Sequence, residues 1–170
     1  KKSEPKKKSA PKAPKTPLKI ISLGGLGEIG KNLTVYEYKN DILLVDCGMA
    51  FPDEETPGVD IVIPDFSYLV LNKEKIRGIL LTHGHEDHIG AIPYLLRTIN
   101  PPIYGTRLTL GILENKLEEA GLLRTAQLHT VEVGDVIKAG SMSVEFIRAN
   151  HSIADACCLA IKTPLGYVFH

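Results

Sequence analysis

The alternation of apolar and polar residues along the first third of the chain predicts three strands. An apolar run at 19–23 is followed by the glycine-rich stretch GLGEIG (25–30), and residues 33–38 are rich in β-branched and aromatic side chains. Turn residues then lead into a second apolar run at 42–45. This pattern predicts a strand, a glycine turn, a strand, a hairpin turn and a third strand.

The stretch GLGEIG also has the glycine spacing of a dinucleotide-binding loop, and the acidic Asp46 follows its last glycine by sixteen residues. Such a loop holds a pyrophosphate only where it opens a helix, because the helix N-terminus supplies the free N–H groups. Here the residues after the glycines predict a strand. We therefore expect a strand-to-strand turn without a nucleotide cofactor.

The second half of the chain contains patterns typical of both helices and strands. The helix predicted at 107–120 has four apolar residues at helical spacing: Leu108, Ile112, Leu113 and Leu117. Gly121 is a helix stop signal. Strands are predicted at 142–148 and, as part of a hairpin, around 162–167. Alternating strands and helices of this kind predict an α/β (α+β) fold class.

Composition adds a boundary near residue 17. The chain has 170 residues, 44% of them hydrophobic, which fits one globular domain, and no apolar run is long enough to span a membrane. Residues 1–17 contain seven lysines, four prolines and one glutamate, whereas residues 18–170 carry 13 basic and 19 acidic side chains. We expect a disordered basic tail over 1–17 and one domain over 18–170.

The basic tail has two interpretations. It is either a solvated leader or a polybasic arm that adds salt-sensitive affinity for nucleic-acid phosphates. It has no apolar core segment, so it is not a secretory signal. Elsewhere, the acidic run at 53–55 is interpreted as a solvated loop, and His129 as an ordinary strand histidine.

The three cysteines are not arranged as a metal site or a disulfide framework. Cys47 is isolated, and the adjacent Cys157 and Cys158 would point to opposite faces of one strand. We interpret them as buried small hydrophobes in a reducing compartment, the cytoplasm.

Candidate chemistry is concentrated in HGHEDH (83–88), which follows a short apolar strand and precedes a helix-like stretch at 92–97. His83 and His85 can project to one side of an extended loop, while Asp87 and His88 project differently and can serve a neighbouring ion. Imidazole and carboxylate without thiolate suit zinc best, with manganese or iron as alternatives. The other explanation is a polar loop whose histidines only cap the helix. Glu86 between the ligands is interpreted as a surface or hydrogen-bonding residue.

HGHEDH resembles the HxHxDH signature of the metallo-β-lactamase superfamily. Together with LGGLGEIGKN (23–32), VDCGMAFP (45–52), GVDIVIPDFSYL (58–69) and the continuation IGAIPYLL (89–96), it is similar to the opening half of the ribonuclease J family of the β-CASP group. The resemblance covers nearly the whole of residues 18–170. It aligns GLGEIG with a loop that rims the metal site in that family.

The resemblance implies a metallo-β-lactamase-type αββα sandwich and a site with two zinc ions, or manganese. Position by position, it makes His83, His85 and the later His151 ligands of the first metal, and Asp87 and His88 ligands of the second. Asp46 would orient a ligand without binding metal. Asp87 would also be the catalytic group, orienting the attacking hydroxide or relaying its proton. The implied activity is hydrolysis of RNA, internally and from the 5′ end, in RNA processing and decay.

The resemblance also implies a cytoplasmic homo-oligomer with RNA as substrate and with ribosome or RNA-decay partners. The family pattern continues with a bridging aspartate, which would lie three residues beyond His170. We therefore expect only the first half of the sandwich here, an exposed sheet face, a weakly held second metal and no activity of this piece alone.

Two alternatives remain. The first is another hydrolase of the same superfamily, acting on thioesters, lactams or tRNA 3′ ends. The second is a non-catalytic, tail-driven module that binds RNA or the ribosome. RNA and thioester substrates assayed side by side discriminate the first, and the effect of changing both His83 and His85 on RNA binding discriminates the second.

Overall fold

A computed structural model describes residues 16–52 and 57–170. The predicted basic tail, apart from its last two residues, and the acidic run at 53–55 lie outside these described residues.

The described residues form ten strands and four α-helices. The strands are β1 (Lys19–Gly24), β2 (Leu33–Tyr38), β3 (Asp41–Val45), β4 (Ile76–Leu80), β5 (Ile103–Gly105), β6 (Leu128–Thr130), β7 (Val136–Ala139), β8 (Met142–Arg148), β9 (Cys157–Thr163) and β10 (Gly166–Phe169). The helices are α1 (Ser67–Leu71), α2 (Glu86–Ile89), α3 (Ile92–Leu96) and α4 (Arg107–Glu119), and a short 3-10 helix covers Lys73–Lys75.

Strands β1 to β6 form one sheet in chain order. The first three strands are antiparallel, as expected for strands joined by short turns. Strands β3 to β6 are parallel, because helical segments cross over between them. GLGEIG joins β1 to β2 and opens no helix, so the prediction of a strand-to-strand turn is confirmed.

Strands β7 to β10 form a second, antiparallel sheet in the order β10-β9-β8-β7. The predicted strand 142–148 matches β8 in both bounds. The two cysteines of β9 face opposite sides, as predicted. The prediction that all three cysteines are buried holds for Cys47 and Cys157 but was wrong for Cys158, which is exposed because alternate residues of a strand point to opposite faces.

Two hydrophobic cores lie between the layers of secondary structure. One core lies between the helices and the six-stranded sheet and includes Leu69, Ile92 and Leu113. The other lies between the two sheets and includes Leu43, Leu80 and Phe146. The described part of the chain is therefore layered as helices, sheet, sheet, which agrees with the predicted sandwich and with helices on one outer side of it.

The outer face of the four-stranded sheet carries exposed apolar side chains. Tyr167 and Phe169 on β10 are exposed and stack on one another with ring centroids 6.4 Å apart. Val136 on β7 is exposed as well.

The prediction for α4 was right in extent and partly wrong in orientation. Leu113 and Leu117 are buried, but Leu108 is 39% exposed and Leu110 is buried in its place. The reason is that α4 lies on the sheet along the face that contains Thr109, Leu110, Leu113 and Leu117. None of the helices in the described part of the chain is both long and apolar enough to cross a bilayer.

Candidate metal centre

The loops that follow β3, β4 and β8 meet at one edge of the molecule. Because β3 and β4 are parallel, Asp46 and the segment 82–88 leave the sheet at the same edge. The backbone N–H of Cys157 donates to the carbonyl of Thr82 at 2.9 Å, which joins the second sheet to this edge. That junction brings the 149–156 loop, including His151, over the HGHEDH segment.

Three of the histidines that the sequence singled out form a cluster. One ring nitrogen each of His83, His85 and His151 can be chosen so that all three atoms lie within 4.8 Å of one another. The ring of His151 lies 4.5 Å from that of His83 and 5.0 Å from that of His85, measured between centroids. Three neighbouring imidazole nitrogens are a donor set that suits zinc. The chemistry of this set therefore fits a metal ion.

The protonation state of His83 follows from its neighbours. The hydroxyl of Thr82 donates its one hydrogen to Oδ2 of Asp46 at 2.8 Å. The Thr82 Oγ1 therefore accepts from Nδ1 of His83, 2.9 Å away. Nδ1 carries the proton, and Nε2 presents its lone pair to Nδ1 of His85 at 3.1 Å.

Burial and, to a lesser degree, the nearby imidazole of His88 lower the pKa of His83 to about 4, against the raising effect of Asp46. His83 is therefore neutral at pH 7. A neutral imidazole is the form that can bind a metal.

Asp87 and His88 form a second pair beside the histidine cluster. Nε2 of His88 lies 3.4 Å from Oδ2 of Asp87, and its ring centroid lies 4.0 Å from that of His83. The Asp87 side chain is partly exposed, so its carboxylate faces solvent. Burial lowers the pKa of His88, but the hydrogen bond and charge of Asp46 outweigh it, so that the pKa is raised.

Asp46 lies beneath both groups of ligand candidates. It is 1% exposed and adopts a positive φ of 59° directly after β3. Its carboxylate accepts from the backbone N–H of Thr82 at 2.8 Å and from Nδ1 of His88 at 2.7 Å, as well as from the Thr82 hydroxyl. No contact places Asp46 within the histidine cluster itself.

Asn32 is a polar residue of the site that the sequence analysis did not single out. Its side-chain amide lies 3.1 Å from Oδ2 of Asp87 and 3.2 Å from Nε2 of His88. The sequence gives little indication of this role, because a lone asparagine between a glycine turn and a strand usually forms hydrogen bonds within the turn.

Two other polar residues, Glu86 and His129, have partners outside the histidine cluster. Glu86 forms an ion pair of 2.5 Å with Lys116 of α4, so it faces the helix layer. His129 stacks on Tyr104, with ring centroids 5.0 Å apart, in keeping with its expected ordinary role.

His170 lies at the end of β10, where its Nδ1 is 2.9 Å from the hydroxyl of Tyr36. Burial lowers the pKa of His170, and Asp46 and His88 are close enough to influence that pKa.

Comparisons with known proteins agree with this geometry. The family model described as the metallo-beta-lactamase superfamily matches residues 26–159. The chain is 56% identical to ribonuclease J of Synechocystis sp. over 155 residues, which cover 90% of this chain and 24% of that protein. It is 47% identical to ribonuclease J of Thermus thermophilus over 164 residues, 92% of this chain and 29% of that protein. The chain thus spans about a quarter of the length of these curated relatives.

Among solved structures, the metallo-beta-lactamase fold protein YhfI from Bacillus subtilis aligns with a TM-score of 0.64 and 18% identity. The alignment covers 90% of this chain and 61% of that one, and at this identity it supports the fold alone. The layered sheets, the histidine cluster and the sequence matches lead to one conclusion: the chain belongs to the metallo-β-lactamase superfamily, and its sequence is homologous to the ribonucleases J.

Proposed function

We propose that this chain supplies the metal-binding part of a ribonuclease that hydrolyses RNA phosphodiesters. The observation that carries the proposal is the cluster of His83, His85 and His151 next to the Asp87 and His88 pair. The relatives that share 44–56% of the sequence are named ribonuclease J, which supports RNA as the substrate.

In this proposal the first metal is held by His83, His85 and His151, and the second by Asp87 and His88. The assignment is supported by the lone pair of His83 Nε2, which faces the cluster. It is also supported by the Asp46 carboxylate, which accepts a hydrogen bond from the Nδ1–H of His88 and so leaves the lone pair of that ring on Nε2. Ligand imidazoles commonly have such a carboxylate partner on the other nitrogen.

Metal ions held by these residues would supply Lewis acidity toward the phosphodiester and the attacking water. The chain's own residues then orient the reactants. Asp87 has a solvent-facing carboxylate beside the cluster, so it can accept a hydrogen bond from the water and take its proton. Asp46, which is buried, keeps Thr82 and His88 in place and takes no proton in this scheme.

The finer parts of the proposal rest on the family resemblance. Zinc is the proposed native metal, with manganese as the alternative, because the first donor set is all nitrogen. A cytoplasmic location, a homo-oligomer and ribosome or RNA-decay partners complete it. The proposed domain is 18–170, with 1–17 as a basic tail that lies almost wholly outside the described residues.

The proposal is tested with a chimera in which residues 18–170 replace the matching segment of the Synechocystis ribonuclease J. We expect the chimera to cleave a 5′-labelled single-stranded RNA in the presence of zinc or manganese. Changing His83 and His85 to Ala in the chimera should remove the activity, while His129→Ala, a histidine outside the cluster, should leave it unchanged. The 170-residue chain alone should show no robust cleavage, because only Asp87 and His88 of the described residues serve the second position.

Two results would contradict the proposal. One is a folded, metal-loaded chimera that fails to cleave RNA but hydrolyses a thioester offered in parallel. The other is undiminished RNA cleavage by the doubly substituted chimera, since hydrolysis would then not depend on the histidine cluster.

A further inference from the structure

The side chain of Asn32 contacts both proposed ligands of the second metal. Its Nδ2 lies 3.0 Å from the backbone carbonyl of Asp87, 3.1 Å from Oδ2 of Asp87 and 3.2 Å from Nε2 of His88. The atom in this position has to be the amide nitrogen, because a carbonyl and a carboxylate oxygen only accept hydrogen bonds. The two hydrogens of this amide are thus shared among the backbone carbonyl and the carboxylate of one candidate ligand and the ring of the next.

The backbone around Asn32 is held as firmly as its side chain. Its N–H donates to the carbonyl of Asp87 at 3.0 Å, and its own carbonyl accepts from Gly48 at 3.0 Å. A Cβ on Gly48 would lie 1.6 Å from the Asp87 carbonyl oxygen. Only glycine therefore allows the 46–49 loop to pass this close to the backbone of Asp87. Three loops from distant parts of the chain are interlocked at this point.

The imidazole of His88 is consequently held from both ends. Asp46 accepts from Nδ1 at 2.7 Å, which places the proton on Nδ1, and Asn32 donates to the lone pair of Nε2. This fixes the tautomer and the ring orientation with Nε2 directed toward Asp87. The hydrogen bond from Asn32 to Nε2 uses the lone pair that a cation would take, so it orients the ring in the metal-free chain and gives way to the metal. The bonds from Asn32 to the Asp87 carbonyl involve no atom that a cation would bind, so they can persist when a metal is present.

We infer that Asn32 is a positioning residue for the second metal: its amide keeps the Asp87 carboxylate and the His88 imidazole together as a ready-made donor pair. The inference rests on the proposed assignment of Asp87 and His88. Partners of this kind, which hold metal ligands without binding the metal, typically change metal affinity about 10–100-fold when they are removed.

The test compares zinc binding by calorimetry in the wild-type chain, Asn32→Leu, His88→Ala and Asn100→Leu. Leucine has nearly the shape of asparagine without its hydrogen bonds. Asn100→Leu is a matched control, because that amide also donates to a backbone carbonyl, that of Thr125, but lies at the opposite edge of the sheet. We expect the wild type to bind zinc at two classes of site, a tight one and a weaker one. The weaker class should be absent in His88→Ala, which would identify it as the second metal position.

In Asn32→Leu the weaker class should lose affinity at least about tenfold, with the tight class unchanged. Asn100→Leu should retain both classes. If the weaker class binds zinc with the same affinity in Asn32→Leu and in the wild type, the inference is overturned, whereas the proposed function is unaffected. A weaker class that survives His88→Ala overturns the assignment of the second position, and the inference with it.

A second measurement needs no variant. Nitrogen-15 spectra of the metal-free wild-type chain at pH 8 should show His88 protonated on Nδ1 and accepting a hydrogen bond on Nε2. A proton on Nε2 would overturn the inference even if Asn32→Leu does not fold.

Discussion

Asp46 shows how one buried side chain can organise a site that it does not enter. Residues with a positive φ are uncommon unless they are glycine, asparagine or aspartate, so this position already restricts the residue type. Its carboxylate accepts hydrogen bonds from Thr82 and His88, and a buried carboxylate requires such partners. Asparagine also tolerates the backbone conformation, but its amide nitrogen cannot accept from Nδ1 of His88.

We predict that Asp46→Asn lowers the free energy of unfolding of the metal-free chain by about 1–3 kcal/mol, the cost of losing hydrogen bonds to a buried charge. The pKa of His88 is raised by Asp46, so the stabilisation is fully present below the ordinary histidine pKa of about 6.5 and is lost as the pH rises through the folded-state value. The loss measured by urea denaturation should therefore be larger at pH 5.5 than at pH 8.5.

The control for this prediction is Thr82→Val, which removes the hydroxyl that donates to the same carboxylate and accepts from His83, and leaves the carboxylate's charge and the bond from the Thr82 backbone. It should cost about 0.5–1.5 kcal/mol, with less dependence on the pH. Equal stability of Asp46→Asn and the wild type at pH 5.5 would refute the role given to the carboxylate.

The sequence was informative about residues whose chemistry is local and much less so about residues that act across the fold. His83, His85, Asp87 and His88 stand within six positions, so their spacing alone indicates a metal site. Asn32 contacts Asp87 across 55 positions, and no local pattern predicts such a contact.

At the scale of secondary-structure elements, Asp41 links the two sheets at the edge away from the metal centre. It begins β3, accepts from Nε of Arg77 at 2.7 Å, and accepts from the backbone N–H of Ser141 at 2.8 Å. Ser141 lies in the turn between β7 and β8, which is close enough that a Cβ on Gly140 would collide with the Asp41 carboxylate. One side chain thus connects a turn of the second sheet to two strands of the first.

We predict that Asp41→Asn destabilises the chain by about 1–2 kcal/mol at pH 7, since the bonds to a charged acceptor are lost but the pair with Arg77 is partly exposed and screened. Burial raises the pKa of Asp41, but the hydrogen bonds from Arg77 and Ser141 outweigh it and the pKa is lowered. The stabilisation is therefore present above the ordinary aspartate pKa of about 3.9 and is lost as the pH falls through the folded-state value.

Urea denaturation between pH 7 and pH 3 checks this prediction: the difference between the two proteins should shrink toward the acid end. Asp60→Asn, at an exposed aspartate, should change stability by less than about 0.5 kcal/mol throughout. A difference that stays constant down to pH 3 would show that the Asp41 charge is not what links the sheets.

Several elements, though not α1 or β5, were predictable because apolar periodicity reports which face of an element is buried. Strand β8 was placed correctly for this reason, whereas α4 was predicted with Leu108 on its buried face. Leu108 and Leu110 are both apolar, and the choice between them depends on how the helix lies against the sheet, which a single helix pattern does not contain.

At the scale of the whole molecule, the histidine cluster joins the two sheets. His83 and His85 follow β4 of the six-stranded sheet, and His151 follows β8 of the four-stranded sheet. A metal bound by all three would cross-link the layers of the sandwich. The sequence implied this arrangement only through the family resemblance, because nothing local to His151 indicates that it meets residues nearly seventy positions earlier.

We predict that zinc stabilises the folded chain and that His151 accounts for most of the effect. A ligand that binds only the folded state adds about 2.7 kcal/mol at a concentration one hundred times its dissociation constant. His151 is exposed, so His151→Ala should change metal-free stability by less than about 0.5 kcal/mol. It should nevertheless abolish most of the stabilisation by zinc, because two imidazoles hold the ion far less firmly than three.

The control is His129→Ala, a change at another exposed histidine, which should retain the full stabilisation by zinc. Thermal unfolding with and without zinc compares the two variants and the wild type. A full zinc effect in His151→Ala would mean that the cross-link between the sheets does not form, and the ion would then have to be held by the HGHEDH segment alone.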